Sequence, residues 1–178
     1  MSRHERSLAL VAEARRALPN ALARALDVAL PDPPSALAHV VTTGIGASEG
    51  PARLLAQLLV EHGLAARFHA ASRFGGETPA GDLLVVFSQG LSPNVLGALR
   101  CGERFRHVWL VTGLDAETDE TARAKLAPAR AVSARPIVVP GADPPGTLMR
   151  LIGPTTASLV AFRLAALLLD DRWMRDRL

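Results

Sequence analysis

The sequence feature that most constrains this chain is an apolar run that ends in a glycine-rich turn and continues into a helical pattern. Residues 40–43 read Val-Val-Thr-Thr, and Gly44-Ile45-Gly46-Ala47-Ser48 follows directly. Glycines let the backbone approach a ligand closely, and the first free amides of the next helix favour an anion, most often a phosphate. The same pattern also occurs where a helix merely packs against a strand, so this turn alone leaves both interpretations open.

A second strand–turn–helix unit lies further along the chain. Residues 83–87 form a continuous apolar run typical of a buried parallel strand, and Ser88-Gln89-Gly90-Leu91-Ser92-Pro93-Asn94 follows at once. Pro93 suits a first helical turn and Ser92 suits the N-cap before it. In a doubly wound sheet, ligands bind beyond the carboxyl ends of the strands, where two such loops can meet. No acidic residue suited to a ribose follows the first glycines, so the loops predict a small anionic ligand rather than a dinucleotide.

Composition limits the class of protein. The 178 residues are 49% hydrophobic, which predicts one globular domain large enough for a full core. A single cysteine, Cys101, excludes an internal disulfide framework and fits a reducing cytoplasm. The most apolar stretch, residues 157–169, contains Arg163 and is too short to span a bilayer. We therefore expect a cytoplasmic protein that does not bind membranes.

The charged and aromatic residues argue against nucleic acid as a partner. The net charge is +3, and the arginines responsible for the high isoelectric point of 10.3 are spread along the chain. Aromatic residues make up only 4% and there is no tyrosine, which leaves little to stack on bases. No group of His, Cys, Asp or Glu residues has the spacing of metal ligands, so we expect neither a metal nor another cofactor.

The order of the predicted elements indicates an α/β architecture. Residues 6–30 have a helical pattern that Pro19 is expected to kink or divide into two helices, and residues 31–34 form a proline-rich linker. Strands then alternate with helices, which implies right-handed crossovers and a parallel sheet covered on both faces. We expect one domain overall, with a helical lead-in over 1–34 and an α/β part over 35–178. The predicted strands are 39–43, 66–71, 83–87, 107–112 and 136–139, and the predicted helices between them include 51–62 and 115–126.

Five stretches taken together carry a family resemblance: 13–19, 44–48, 71–74, 87–94 and 153–159. In their order and spacing they resemble the sugar isomerase (SIS) domain, particularly the first half of two-domain phosphosugar isomerases such as the isomerase part of glucosamine-6-phosphate synthase. The resemblance implies a doubly wound five-stranded parallel sheet flanked by helices, an SIS-like fold among the flavodoxin- and Rossmann-type three-layer sandwiches.

The resemblance also implies a phosphorylated sugar as ligand. Hydroxyls and backbone amides suit a phosphate because they donate several hydrogen bonds to a dianion without having to titrate. Residues at positions that bind the phosphate or adjoin the sugar in relatives are Gly46, Ser48, Ser88, Gln89, Ser92, Asn94 and Thr155. Each of these residues could instead make a local cap or turn, above all Ser92 beside Pro93.

The chain also departs from the family pattern. The usual turn reads Ser-x-Ser-Gly-x-Ser/Thr, whereas here Ser88-Gln89 runs straight into Gly90, so the middle serine is missing. Arg73 stands where relatives commonly have an acid, and it either adds positive charge near the phosphate or faces solvent.

Aldose–ketose isomerisation requires a base that moves a proton between adjacent carbons. In two-domain relatives that base is a glutamate of the second half, and a histidine comes from a neighbouring subunit. The carboxylates that can be placed near the expected site here are Glu49 and Glu77, and neither has a recognised catalytic context.

Two functions remain open from the sequence. One is a phosphosugar isomerase whose acid–base groups are completed by self-association. The other is a non-catalytic phosphosugar sensor or pairing module with a degenerate phosphate loop. In either case we expect a homo-oligomer, a dimer or larger, formed through apolar residues of the first and last helices: Leu8, Val11, Leu18, Leu22, Phe162 and Leu167.

Overall fold

The computed structural model describes residues 3–75, 79–141, 143 and 150–170. Five parallel strands form one sheet, as predicted, and their order is β2-β1-β3-β4-β5. The strands are β1 (His39–Gly44), β2 (Ala65–Phe68), β3 (Gly81–Phe87), β4 (Phe105–Thr112) and β5 (Arg135–Val138), and the α-helices are α1 (Arg3–Leu26), α2 (Glu49–Glu61), α3 (Leu96–Arg100), α4 (Glu120–Lys125), α5 (Ala127–Ala131) and α6 (Ile152–Leu168).

The two faces of the sheet are covered by different helices. Alternate residues of each strand point to opposite faces, and those on one side pack against α1, α2 and α6. Those on the other side pack against α3, Leu126 and α5. Trp109 and Phe87 are the largest fully buried side chains, and both lie in the first of these clusters. A sheet buried on both faces explains why β3 and β4 read as nearly continuous apolar runs.

The first helix differs from its prediction. α1 runs from Arg3 to Leu26 as a single helix with Pro19 inside it, so of the two alternatives predicted, a kink or a division into two helices, the division is wrong. A proline within a helix removes one hydrogen bond to the carbonyl four residues earlier, here that of Arg15. Both Pro19 and Arg15 are exposed, so water can satisfy that carbonyl.

The predicted helix over 115–126 begins later than expected. Asp115 accepts hydrogen bonds from the Glu117 amide at 2.9 Å and from the Thr118 hydroxyl at 2.9 Å, which holds a turn instead of a helix. The helix α4 then starts behind Asp119, whose carboxylate accepts from the Thr121 amide at 2.8 Å. The strand predicted over 66–71 also differs: β2 ends at Phe68, and residues 71–73 form a single 3-10 turn.

Small side chains allow α1 to lie across the start of α6. Ala14 and Ala21 of α1 are buried against Ile152. Further along, the Arg163 guanidinium donates to the carbonyls of Ala25 at 3.0 Å and Val28 at 2.8 Å, which connects the end of α1 to α6. Within the described ranges, no helix is both long and apolar enough to cross a membrane.

Asp82 connects the start of β3 to the start of β1. Its Oδ2 accepts from the amides of Ala38 at 2.8 Å and His39 at 3.0 Å, and Arg106 lies 3.4 Å from Oδ1. The two backbone hydrogen bonds, followed by the Arg106 charge, lower the pKa of Asp82 below its ordinary value of 3.8. The ionised carboxylate therefore stabilises the folded chain above that value.

We expect Asp82→Asn to lower the free energy of unfolding at neutral pH. The folded-state pKa is depressed, so the wild-type advantage should be complete above pH 3.8 and disappear as the pH falls through the lower, folded-state value. Urea unfolding of both proteins at several pH values measures this difference. Asp32→Asn, in the exposed linker, is the control, and a difference for Asp82→Asn that persisted at the acidic end would contradict the assignment.

Candidate functional site

The two predicted loops meet at the carboxyl edge of the sheet. Gly44, the last residue of β1, lies opposite Phe87, the last residue of β3, so the turns that follow begin side by side. The strand order reverses between these two strands, since β2 lies on one side of β1 and β3 lies on the other. Such a reversal opens a crevice at the edge of a doubly wound sheet and is the usual place for a ligand.

The first loop requires a glycine at position 44. A Cβ at Gly44 would overlap the backbone carbonyl of Ser48, because the 3-10 turn Gly46–Ser48 folds back over the end of β1. Gly46 adopts a φ of +58°, which glycine accepts without strain. The turn leads directly into α2, and the Ser48 hydroxyl caps no amide there. That hydroxyl is therefore not engaged in capping the helix that it precedes.

The second loop is held by β4. The Ser88 amide donates to the Val111 carbonyl at 2.9 Å, and the Gln89 carbonyl accepts from the Gly113 amide at 2.9 Å and the Thr112 hydroxyl at 3.2 Å. The Ser88 Oγ accepts from the Ser92 amide at 3.2 Å, which leaves its own proton free to donate. Ser88 is buried, so its hydroxyl has a defined position at the base of the loop.

The loops enclose one cleft with an open part and a small inner part. The open part has a volume of about 560 Å³, and the inner part, about 20 Å³, has room for one water-sized sphere. Ala47, Ser48, Ser88, Gln89 and Gly113 line both parts. The open part is lined further by Ile45, Gly90, Ser92, Leu114 and Arg150, and the inner part by residues of β3, β4 and the start of α6, among them Thr156.

Gln89 closes the inner part against α6. Its side-chain amide lies so close to Gly153 that a Cβ at this position would overlap it. Gly153 thus provides the space into which the Gln89 amide extends. The amide can consequently reach both the inner part and the first turn of the last helix.

The start of α6 is capped by a buried carboxylate. Asp143 Oδ1 accepts from the amides of Leu151 at 2.7 Å and Ile152 at 2.8 Å, and Oδ2 accepts from that of Gly153 at 3.1 Å. Asp143 is only 4% exposed. The first amides of this helix are therefore already paired, and its positive end is compensated by a side chain of the same chain.

The structure brings together four of the seven predicted binding residues: Ser48, Ser88, Gln89 and Ser92 line the cleft, and Gly46 lies between two lining residues. Asn94 is exposed in the 3-10 turn Pro93–Val95 and is not among the residues that line either part. The Thr155 hydroxyl donates to the Leu151 carbonyl, and its neighbour Thr156 lines the inner part instead. Ser92 occupies the N-cap position, but its side chain caps no amide.

The predicted acidic residues do not line the cleft in the described part of the chain. The Glu49 carboxylate lies 2.7 Å from the Arg53 guanidinium on the surface of α2, and it lines neither part. Glu77 lies outside the described residues. No aspartate, glutamate or histidine is among the described residues that line the cleft. The described residues also contain no group of three or more His, Cys, Asp or Glu side chains that could hold a metal ion.

The arginine that lines the cleft is Arg150, and it was not predicted from the sequence. Arg73, considered above as a positive charge near the phosphate, is exposed and lines neither part. Arg150, which had no predicted role, lines the open part beside the two serine-bearing loops. Its only signal in the sequence is its position just ahead of the small residues that begin α6.

No family model and no curated protein matches this sequence. Solved structures do share its fold. A candidate phosphosugar isomerase from Silicibacter pomeroyi matches with a TM-score of 0.63 and 20% identity, over 99% of this chain and 53% of that chain. The C-terminal domain of glucosamine-fructose-6-phosphate aminotransferase from Francisella tularensis matches with a TM-score of 0.66 and 13% identity, over 94% of this chain and 51% of that chain.

A third similar structure contains a phosphosugar. It is the NanR protein of Vibrio vulnificus complexed with ManNAc-6P, with a TM-score of 0.60 and 20% identity, over 98% of this chain and 65% of that chain. The chain thus spans about half the length of the first two proteins and less than two thirds of the third. Its fold is the SIS-domain fold that the sequence resemblance implied.

Proposed function

We propose that this protein binds a phosphorylated sugar in the cleft between the Ser48 loop and the Ser88–Ser92 loop. The observation that carries the proposal is the convergence of these two loops where the strand order reverses. Neutral hydroxyls and amides from both loops suit a phosphate oxygen, because they donate hydrogen bonds without a change of protonation. The volume of the open part is within the range of small-molecule sites.

The similar structures support the same ligand class. Two of the three are named for enzymes of sugar phosphates, and the third is a complex with ManNAc-6P. At identities of 13–20% a structural match supports only a shared fold. The two loops of this chain are therefore the main support for its ligand. We place the protein in the cytoplasm, a reducing compartment that fits its single cysteine.

The Ser88 hydroxyl provides the test of this proposal. We expect calorimetric titration with a panel of hexose 6-phosphates, including N-acetylmannosamine 6-phosphate, to detect binding by the wild type. Ser88→Ala should weaken it by about 1.5–3 kcal/mol, the usual contribution of a hydrogen bond to a charged acceptor. Ser158→Ala is the matched control, since that hydroxyl donates within α6 to the Pro154 carbonyl at 2.8 Å and does not line the cleft.

The outcome separates the candidate functions. Binding without isomerised product after long incubation supports a sensor, which the lack of a carboxylate or histidine among the described lining residues favours. Binding with turnover establishes an aldose–ketose isomerase, and the loss of turnover in Glu49→Gln or Glu77→Gln with affinity retained would identify the base. If both variants retain turnover, the base comes from another chain. If the wild type binds no member of the panel, the phosphosugar proposal is wrong and a pairing module remains.

We also propose that the chain self-associates through α1 and α6. Leu8 is 57% exposed and Phe162 is 39% exposed, and the other predicted contact residues, Val11, Leu18, Leu22 and Leu167, are only partly buried. Covering such side chains stabilises a dimer through the hydrophobic effect, and a stable interface should bury more than about 1,000 Å².

Sedimentation at micromolar concentration should show a dimer or larger species. A monomer there would contradict the proposal, and Leu8→Glu should shift a true dimer towards monomer, whereas Val60→Glu on α2, equally exposed, should not.

A further inference from the structure

The cleft has a single charged side chain among its described lining residues. The serines, Gln89 and the backbone amides around the open part are neutral, and Arg150 is the exception. Arg150 is exposed and forms no ion pair with any carboxylate of the described residues. A dianionic phosphate in this cleft would therefore meet one full positive charge.

The backbone beside Arg150 is held in place by the buried carboxylate described above. The amide of Leu151, the next residue, donates to Asp143 Oδ1 at 2.7 Å, and the two amides after it also bond to that carboxylate. Arg150 thus lines the open part of the cleft from a backbone position that is anchored on its carboxyl side. An anchored main chain lowers the conformational entropy that Arg150 loses when it pairs with an anion.

The Asp143 carboxylate also affects the electrostatics on the side of the cleft formed by Arg150 and the start of α6. The free amides at the start of a helix normally attract an anion, but those of α6 are paired with Asp143 and its negative charge cancels the positive end of the helix. An anion on this side of the cleft is consequently left with Arg150 as its counter-charge. A guanidinium suits that role because its donors match two oxygens of one phosphate.

We propose that Arg150 pairs with the phosphate group of the bound sugar and supplies the charge that the neutral serine loops lack. This inference rests on the proposed function and makes the ligand class more specific: a phosphate monoester in its dianionic form. With a second phosphate pKa near 6, such an ester should bind more tightly above pH 6 than below it.

The test compares charge and shape at position 150 with two probes, inorganic phosphate and N-acetylmannosamine 6-phosphate. Arg150→Met keeps the length of the side chain but removes its charge, and Arg150→Lys keeps the charge but loses the paired donors. Arg135→Met is the control, since Arg135 is an exposed residue at the amino end of β5, the edge of the sheet opposite the cleft. Thermal unfolding of each variant checks that the fold is retained.

We expect Arg150→Met to weaken both probes by the same factor, about tenfold or more, and to flatten the salt dependence of binding. Arg150→Lys should fall between wild type and Arg150→Met, and Arg135→Met should stay within about twofold of wild type. Wild-type binding with unchanged affinity in Arg150→Met would overturn the inference and leave the proposed function standing. A loss confined to the sugar phosphate would overturn the assignment to the phosphate group. Binding of neither probe by the wild type would remove the inference together with the function on which it rests.

Discussion

Asp143→Ala should lower the free energy of unfolding by about 3 kcal/mol, because it leaves three amides at the start of α6 without an acceptor. Asp143 is buried, as are Ile152 and Gly153, so water cannot replace the carboxylate without opening the structure. An unpaired buried donor costs about 1–3 kcal/mol, and the loss of an ordinary helix cap typically costs about 1 kcal/mol. The expected loss exceeds that of a surface cap because several buried donors lose their partner together.

Urea unfolding measures this loss, and the chain offers a matched comparison. Asp119 caps α4 with a single hydrogen bond to the Thr121 amide at 2.8 Å, at an exposed position. Asp119→Ala should therefore lose only about 1 kcal/mol. Asp143→Asn should be intermediate, since the carboxamide retains one acceptor oxygen. Equal losses for Asp143→Ala and Asp119→Ala would show that the amides of α6 find other partners.

Gly44→Ala should destabilise the chain by about 2–3 kcal/mol and distort the Ser48 loop. The added Cβ would overlap the Ser48 carbonyl, which belongs to the backbone of the turn and cannot rotate away. Forcing an extra methyl into a packed region typically costs 1–3 kcal/mol. Because the same turn carries Ser48, which lines the cleft, the affinity for hexose 6-phosphates that we propose for this cleft should fall as well.

Gly50→Ala is the control for that substitution. A Cβ at Gly50 would meet no atom within 4 Å, and the residue lies in the first turn of α2. Alanine there should change the stability by less than about 1 kcal/mol, because its gain in helix propensity is offset by the contact between a Cβ before Pro51 and the proline ring in a helical backbone. Thermal unfolding should therefore show a clear loss for Gly44→Ala and little change for Gly50→Ala. A Gly44→Ala protein as stable as wild type would mean that the turn can move away from β1, contrary to the close packing described here.

The sheet could be predicted from local pattern because each strand carries its own signal. Residues 83–87 and 107–112 are short apolar runs bounded by glycine, serine or charged residues, and strands buried on both faces require such runs. Element ends were less predictable, since they depend on individual hydrogen bonds. Asp115 is an example: its side chain forms a turn where the charge pattern alone indicated a helix.

The two loops of the cleft could be predicted for a geometric reason. The carboxyl ends of neighbouring parallel strands lie at one edge, so Ser48 and Ser88 follow strands that end side by side once β1 and β3 are adjacent. Asn94 follows the second loop directly, whereas Thr155 was implied by the resemblance alone, and neither residue lines the cleft. Asn94 lies in a 3-10 turn and Thr155 in the first turn of α6, so the direction of each side chain depends on how that turn packs.

Neighbouring residues and strand periodicity were sufficient to predict the parallel α/β fold and the two glycine- and serine-bearing turns, and they suggested a small anion as ligand. Three features depend on how distant parts of the chain pack: Arg150 lies beside these turns, Asp143 pairs with the start of α6, and Gln89 extends into the space at Gly153. Gln89 and Gly153 are far apart in sequence, and their contact exists only after β3 and α6 have packed on the same sheet. Such contacts leave no local pattern, because nothing in the residues around Gln89 or around Gly153 indicates that the two will meet.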